Sequence, residues 1–438
     1  MKSARSGTRS LFDAVVIVCA VSALVIPVDF VNLTPFWRQV STVTLVIGAI
    51  ASLFTVVKRR SRAANASLLV VALLIFFNQF VAYNPIGFVT ILGPFVIGLA
   101  ASFSIRRPLE AMVGAGAVNA LLLVYEWVNR RHVVSYFFGL PFQEFLGGGE
   151  FRARGLAGQP VPAAMIAVVL CFGALAYQGA GRRVVMLKWI AVVSALAALA
   201  ATGTRSALLL AVAGIVLLVF LRFTRKHARV STTVAIAAPI GGMALLLCLP
   251  YLLRIVSGWR VADFRTLAGS ASVDNREYAS EVFRVWADAC NGSCVVFGSG
   301  ARNLLQTLSS GLGLSGFSTV DNIFLSFLWD FGLLGVLALL SVTIFAIGRL
   351  RHPSSGAAVS GALIVILSLV SGLSYDSLYI RSALVVFGFG VGLMAAAKRI
   401  DSEPRVLSSV SKSVAPGPRV LNELSPTARA VNDRKSGV

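Results

Sequence analysis

Charged side chains are scarce in this sequence. Asp, Glu, Lys and Arg make up 13% of its 438 residues, whereas hydrophobic residues make up 57%. Soluble domains carry about 25% charged residues. The sequence instead contains apolar runs that approach the ~20 residues a helix needs to cross the hydrocarbon core. This composition excludes an ordinary soluble domain and predicts an integral membrane protein.

Metal ligands and the usual motifs of soluble enzymes are also lacking. The chain has three His and five Cys, and it contains no HExxH, Walker or GxSxG motif. Cys290 and Cys294 lie in one long loop with no His nearby, so zinc would lack two ligands, whereas an oxidising compartment would permit a disulfide. We therefore expect no metal and no ATP-driven step.

Twelve apolar runs predict an all-α membrane domain over residues 1–397. Backbone groups in lipid have no water partner, so each run is expected to form a helix. The runs lie near 11–31, 39–57, 66–83, 85–105, 109–128, 161–178, 187–202, 205–221, 231–253, 321–348, 357–373 and 381–397. Two outside connections are long, at 129–160 and 254–320, and a disordered basic cytoplasmic tail is predicted over 398–438.

The net charge of +21 follows this predicted topology. If the first span runs outwards, 26 of the 39 Lys and Arg residues fall in inside segments, as the positive-inside rule requires. Both termini are then cytoplasmic, and no nucleic-acid partner is needed. All seven Lys are inside, and the 13 outside bases are Arg, which binds phosphate in a two-pronged fork. Selection for an outside anion site and a codon bias towards Arg explain this pattern equally well.

Two outside segments combine arginine with glycine. Arg152-Ala-Arg-Gly155 precedes a helix expected to start near Pro162. Glycine permits a close backbone approach, and a helix N-terminus with nearby arginine suits an anion. Thr202-Gly-Thr-Arg205 is a tight turn between two apolar spans, in which Arg205 is the only charge. Interfacial snorkelling is the alternative explanation for these arginines.

The second long loop is predicted to hold a short amphipathic helix across 275–290, lying on the membrane surface as a lid. Its predicted apolar face consists of Tyr278, Val282, Val285, Trp286 and Ala289. Arg276 falls in its first turn, where the helix dipole disfavours a cation unless an anion is bound. Arg284 suits an exposed pair with Glu281 or Asp288 better than an anion site.

Two carboxylates open the tenth predicted span. Asp321 lies at the outside mouth, and Asp330 lies about 13 Å deeper by helical rise. Asp321 suits either a general base beside a bound anion or a helix N-cap. Asp330 suits a partner for an arginine of the bundle, because an unpaired carboxylate is costly there. His132, Glu144, Glu150 and Asp376 are alternative bases.

In their order along the chain and in their predicted place on the outer side of the membrane, these motifs resemble those of the O-antigen ligase and polymerase superfamily of bacterial surface-polysaccharide assembly. Arg152 with Gly155 and Pro160 is similar to the family's Arg-x-x-Gly and the Pro-Asn that follows, with Val161 in place of the Asn. Thr202-Gly-Thr-Arg205 resembles the family's Thr-x-Ser-Arg. These two motifs fall in the first half of the resemblance, over about 150–205.

The second half of the resemblance covers about 270–340. Arg276, followed by Gly298 and Gly300, resembles the family's loop Arg with its Gly-x-Gly turn. Asp321-Asn322 with Asp330-x-Gly332 resembles its His-Asn with Glu-x-Gly. Aspartate therefore stands where the ligases have their His base, which favours a polymerase over a ligase.

The resemblance implies a glycosyltransferase that uses glycans carried on undecaprenyl diphosphate, with no metal or cofactor, at the outer face of the bacterial cytoplasmic membrane. Asp321, Arg276 and Arg205 would be catalytic. The diphosphate would be bound by Arg152, Arg154, Arg205, Arg276 and Arg284. Gly155, Asn322, Asp330, Gly298 and Gly300 would support the site.

The implied partners are the lipid-linked donor glycan, an acceptor glycan and membrane lipid. Flippase and chain-length regulator proteins of the same polysaccharide pathway are further possible partners. The open alternatives are ligation to lipid A core, a wall polymer or a protein, and, in a different class, a flippase or transporter.

Overall fold

The computed structural model is helical throughout the residues that it describes, with no strand among them. Those residues are 4–25, 35–59, 66, 70, 73, 85–105, 107–133, 151–178, 181–226, 281–290, 292–304, 307, 322–351, 355–375 and 377–400. The prediction of an all-α fold is confirmed for this part of the chain. The predicted span 231–253 and most of 66–83 lie outside it. Residues 398–400 of the predicted tail belong to the last described helix, Arg381–Ile400, and 401–438 lie outside the described residues.

Ten apolar helices account for most of the described residues. They are α1 (Ala4–Val25), α2 (Pro35–Arg59), α3 (Pro85–Ser104), α4 (Pro108–Asn129), α5 (Pro160–Ala176), α6 (Arg182–Thr202), α7 (Arg205–Lys226), α8 (Ile323–Arg351), α9 (Gly356–Ser371) and α10 (Arg381–Ile400). Each overlaps one predicted span. Proline opens α2 to α5, where its missing N–H would have no helical partner in any case.

Five of the described helices are long and apolar enough to cross a membrane: Gln39–Val57 within α2, α4, α6, Arg205–Phe223 within α7, and α8. Their outward faces are apolar too; on α6, Trp189 is 66% exposed, Val193 59% and Leu196 61%. A continuous apolar surface of this kind suits lipid better than water. These are the features of a helical membrane protein, whereas the number of twelve spans and their sidedness stay predictions.

Close backbone contact joins α3 to α10, the most extensive helix pair in the described part of the bundle. A Cβ atom at Gly98 of α3 would collide with the carbonyl of Val385, and one at Gly388 of α10 would collide with the carbonyl of Phe95. In lipid, small residues at a helix interface permit the tight packing that drives association. The two glycines therefore set the distance between these helices.

Gly98→Leu is expected to lower the thermal unfolding midpoint of the purified protein, because the new side chain must push α3 away from α10. Overpacking of a core costs roughly 1–3 kcal/mol. Gly114→Leu on α4 is the matched control, since open space surrounds that glycine. Midpoints are compared by gel filtration after heating in detergent, and equal values for the two variants would contradict the tight contact.

Candidate functional site

The arginine motifs and the start of α8 lie among helix ends that contact one another. Here α6 ends at Thr202, and α7 begins at Arg205. The N–H of Ile323, the first residue of α8, donates to the carbonyl of Gly372 just beyond α9 at 2.8 Å. This end of the bundle is the candidate site.

Arg152 fastens one arginine motif to the other. Its Nε donates to the carbonyl of Thr202 at 2.8 Å, and a terminal guanidinium nitrogen donates to Oγ1 of Thr204 at 3.1 Å. The N–H of Ala153 donates to the carbonyl of Ala201 at 3.1 Å. The last carbonyls of a helix lack helical partners, so Arg152 also caps α6. Arg152 is therefore a structural clamp between two motifs that the sequence presents 50 residues apart.

The turn between α6 and α7 is as tight as the sequence predicts. Gly203 has φ 59, and its N–H donates to the carbonyl of Leu199 at 3.0 Å, which ends α6. The hydroxyl of Thr204 bonds that of Thr202 at 3.0 Å, and both threonines are buried. Arg205, which is partly exposed, opens α7. A cation thus stands at a helix N-terminus, where a nearby anion would be favoured.

A buried carboxylate holds the backbone of Arg154 and Gly155. Arg154 has φ −110 and ψ −29, and Gly155 has φ 53, an alternation that turns successive N–H groups into an anion-binding nest. Both N–H groups donate to Oε2 of Glu126 on α4, at 2.8 and 2.9 Å. The close backbone approach that glycine permits at Gly155 is thus made by the protein's own carboxylate at these two amides, which are not offered to a ligand.

Arg154 keeps its charge beside this carboxylate. Partial burial lowers the pKa of its guanidinium, and the charge of Glu126 opposes that shift. An arginine titrates far above neutral pH, so the side chain stays cationic. The charge of Glu126 therefore favours the cationic form of Arg154.

Asn119 and His132 complete the polar cluster around Glu126. Oδ1 of Asn119 accepts the N–H of Leu156 at 2.8 Å. The ring of His132 stacks on Phe151, with 4.5 Å between centroids, and its Nδ1 lies 3.8 Å from Oε2 of Glu126. Because His132 is buried, it packs inside the protein and is a poor candidate for the alternative base.

Asp330 anchors the end of the second long loop on α8. The residue is fully buried in a helix that is apolar enough to cross a membrane. Its carboxylate accepts the N–H of Arg302 at 2.7 Å, the N–H of Leu304 at 3.0 Å and the hydroxyl of Tyr379 at 2.6 Å. Asp330 was predicted to pair with an arginine, and the charge of Arg302 does act on it from nearby. Its hydrogen bonds, however, come from two backbone amides and a tyrosine.

Three glycines let the loop and α8 meet at Asp330. Gly298, Gly300 and Gly332 have φ values of 81, 109 and 63. A Cβ atom at Gly298 would collide with the backbone of Asp330. Gly332, with ψ −160, breaks α8, and beside the break the carbonyl of Asp330 accepts the N–H of Gly300 at 3.1 Å. The Gly-x-Gly turn and the Asp-x-Gly motif are thus two halves of one joint.

Aromatic side chains dock a loop helix, residues 281–289, against this joint. Trp286 stacks on Trp329 of α8, with 4.8 Å between centroids, and Phe283 packs in the same cluster. Val285 is 64% exposed. Val282, Phe283 and Trp286 therefore form the face that packs on α8, whereas Val285 and Ala289 of the predicted apolar face are exposed.

Cys290 and Cys294 are joined by a disulfide. It links the end of the loop helix to a short helix, Gly292–Phe297, which leads directly into the Gly-x-Gly turn. Beyond that helix, Oγ of Ser299 accepts a hydrogen bond from the indole of Trp286 at 2.7 Å. The disulfide therefore lies in the segment that connects the loop helix to the joint at Asp330.

The remaining predicted residues divide into placed and unplaced ones. Outside the described residues lie Arg276, Asp321, Glu144, Glu150 and Asp376. Arg284 is exposed on the loop helix. Oδ1 of Asn322 accepts the N–H of Phe324 at 3.0 Å, so Asn322 fills the N-cap role that was the alternative for Asp321.

The turn between α9 and α10 contacts both the segment that follows the arginine loop and the joint at Asp330. The hydroxyl of Tyr375 donates to Oε1 of Gln159, which precedes α5. The hydroxyl of Tyr379 bonds the carboxylate of Asp330 and lies 3.0 Å from the carbonyl of Ser326. Neither tyrosine is among the predicted site residues, although their place beside Asp376 in a short loop between two spans was a usable signal.

No protein-family model matches the chain, and no curated protein matches it in sequence. The two features to be explained are an arginine-bearing cluster around α4 to α7, and a loop end locked onto α8 at Asp330.

Proposed function

We propose that the protein is a membrane glycosyltransferase that joins oligosaccharide units carried on a polyprenyl diphosphate. The observation that carries the proposal is the contact between the two arginine motifs, made by the bonds from Arg152 to Thr202 and Thr204. Those bonds bring the loop of Arg154 beside the helix start at Arg205. Several guanidinium groups near one helix N-terminus suit a diphosphate better than a single carboxylate.

The proposed reaction transfers a glycan from its lipid carrier to an acceptor sugar. Asp321 takes the proton of an acceptor hydroxyl, and the resulting oxygen forms a bond to the anomeric carbon of the donor. The bond from that carbon to the diphosphate breaks, and the lipid diphosphate leaves with the electron pair. Arg205, Arg276 and Arg154 stabilise the negative charge that develops on it. The glycosyl diphosphate bond supplies the energy, and in this proposal the arginines stabilise the leaving diphosphate in place of a metal ion.

The acceptor decides between polymerase and ligase. Aspartate at position 321, in place of a histidine, favours a polymerase acting at the outer face of the cytoplasmic membrane. The placed arginines serve a ligase equally well, because both reactions use the same donor. Ligation to lipid A core, a wall polymer or a protein is therefore an outcome that the experiment must separate.

The break in α8 does not favour a transporter. Transporters use broken helices to line a substrate cavity with free backbone groups. In the described part of α8, the break at Gly332 is filled by the Gly298–Gly300 turn, which bonds the carbonyl of Asp330. The break therefore serves to dock a loop.

The decisive experiment mixes the purified protein with a lipid-diphosphate-linked oligosaccharide from the same organism and separates the products on a gel. A polymerase gives a ladder, which we expect to fall by about 100-fold or more in Arg276→Ala and Asp321→Asn. Arg351→Ala, an exposed arginine at the far end of α8, should leave it unchanged. Product only with a foreign acceptor indicates a ligase. No transfer, with lipid moving between leaflets, would overturn the enzyme proposal.

A further inference from the structure

One face of α4 holds three successive backbone amides of the arginine loop. Glu126 accepts the N–H groups of Arg154 and Gly155, and Asn119 accepts that of Leu156. Asn119 and Glu126 are seven residues apart, close to two helical turns, so they lie on the same face. This face acts as a template on which the loop backbone is laid.

The fit between this template and the loop is close. A Cβ atom at Gly155 would lie 2.6 Å from Oδ1 of Asn119 and 2.9 Å from the side chain of Leu123. Only glycine meets both this approach and the positive φ of 53 at that position. The loop is therefore held in one conformation by side chains that the sequence motif itself does not contain.

Burial makes the Glu126 contact an expensive one to keep. The residue is fully buried, near the end of a helix apolar enough to cross a membrane. A carboxylate in such a place is costly unless it has a bonded role. Its bonds to the amides of Arg154 and Gly155 supply that role.

We propose that Glu126 and Asn119 are positioning residues for the diphosphate site. They fix the backbone that carries Arg154, while Ala153, which is fully buried, turns into the core and leaves its two neighbouring arginines partly exposed. The inference rests on the proposed function, because it assigns these two residues the task of presenting the arginine loop to a diphosphate.

Three substitutions separate the acceptor from the charge. Glu126→Gln keeps one amide oxygen that can face both N–H groups and removes the charge. Glu126→Leu removes the acceptor at similar volume, and Asn119→Leu removes the second acceptor independently. Glu110→Gln is the matched control, since Glu110 is an exposed acid on the same helix, paired with Arg107 at 3.4 Å.

The first measurement is hydrogen exchange of peptides that cover residues 151–160, in the full-length protein in detergent. Bonded amides exchange only when the loop opens. We expect exchange at positions 154–156 to be at least about 10-fold faster in Glu126→Leu, with Glu126→Gln and Glu110→Gln close to wild type. Unchanged exchange in Glu126→Leu, or Glu126→Gln behaving like Glu126→Leu, would overturn the acceptor role.

The second measurement is the binding of geranylgeranyl diphosphate in detergent micelles. Residues that orient the ligands of a metal contribute about 10- to 100-fold to its affinity, and by analogy we expect Glu126→Leu and Asn119→Leu each to weaken diphosphate binding by about 10-fold. Glu126→Gln should restore most of the affinity. Faster exchange with undiminished binding would overturn the positioning role. If the wild-type protein binds no diphosphate, both the proposed function and the positioning role are wrong. If the wild-type protein binds and the variants bind equally well, only the positioning role is wrong.

Discussion

Asp330→Leu is expected to destabilise the protein by about 3–5 kcal/mol, the largest stability effect that we predict for a single side chain. The leucine would leave three donors without their acceptor: the backbone N–H groups of Arg302 and Leu304, and the hydroxyl of Tyr379. Each buried donor left unpaired costs roughly 1–3 kcal/mol, which the apolar side chain only partly offsets. The end of the second long loop should then detach from α8.

Two milder variants grade the effect. Asp330→Asn retains one acceptor oxygen, so it should lose part of the network and fall between wild type and Asp330→Leu. Tyr379→Phe removes one hydroxyl and should cost about 1 kcal/mol. Unfolding midpoints measure the loss of stability, and limited proteolysis across residues 281–304 measures the release of the loop. A midpoint for Asp330→Leu equal to that of wild type would contradict the anchoring role.

Local signals in the sequence predict most of the described fold. Within the described residues, ten of the predicted apolar runs form helices, and proline opens α2 to α5 as its fixed φ and missing N–H favour. The turn at Gly203 is likewise local, since a glycine between two spans can take the left-handed conformation that ends a helix. The sequence therefore predicts elements whose cause lies within a few residues.

The contacts that build the site depend on residues far apart in the chain. Asp330 bonds amides 28 and 26 positions away and a hydroxyl 49 positions away. Every residue except proline carries a backbone N–H group, so no sequence motif could indicate which of them would donate to Asp330. The break at Gly332 was equally hidden, because glycine inside a span is more often a packing residue than a hinge.

Glu126 was missed although its signal was present. An acid within an apolar run is a functional candidate wherever it occurs. The arginines drew attention to the loop of Arg154 instead, and the side chain of Glu126 holds the backbone of that loop. The structure adds the reason that Gly155 is required in this loop, because a Cβ atom there would collide with Asn119 and Leu123.

Arg205→Ala is expected to lower glycan transfer by about 100- to 1,000-fold, the largest effect on activity among the placed residues. The guanidinium opens α7 beside Thr204, where it can stabilise charge on a departing diphosphate. Arg205→Lys keeps the charge but loses the two-pronged fork, so it should retain only part of the activity. Gel assays of transfer with the lipid-linked donor measure both variants.

Stability separates this role from that of Arg152. Arg205→Ala should lower the unfolding midpoint less than Arg152→Ala, because the helix dipole disfavours a cation at the start of α7 and so offsets part of what the contacts of that side chain contribute. Arg152→Ala removes the bonds to Thr202 and Thr204 and should lower both the midpoint and the activity. Arg222→Ala is the control on the same helix: it is exposed and lies 17 residues further on, roughly 25 Å away by helical rise. If Arg205→Ala lost stability in step with activity, or kept full activity, the arginine would be a structural part of the turn, and the diphosphate would have to be bound elsewhere.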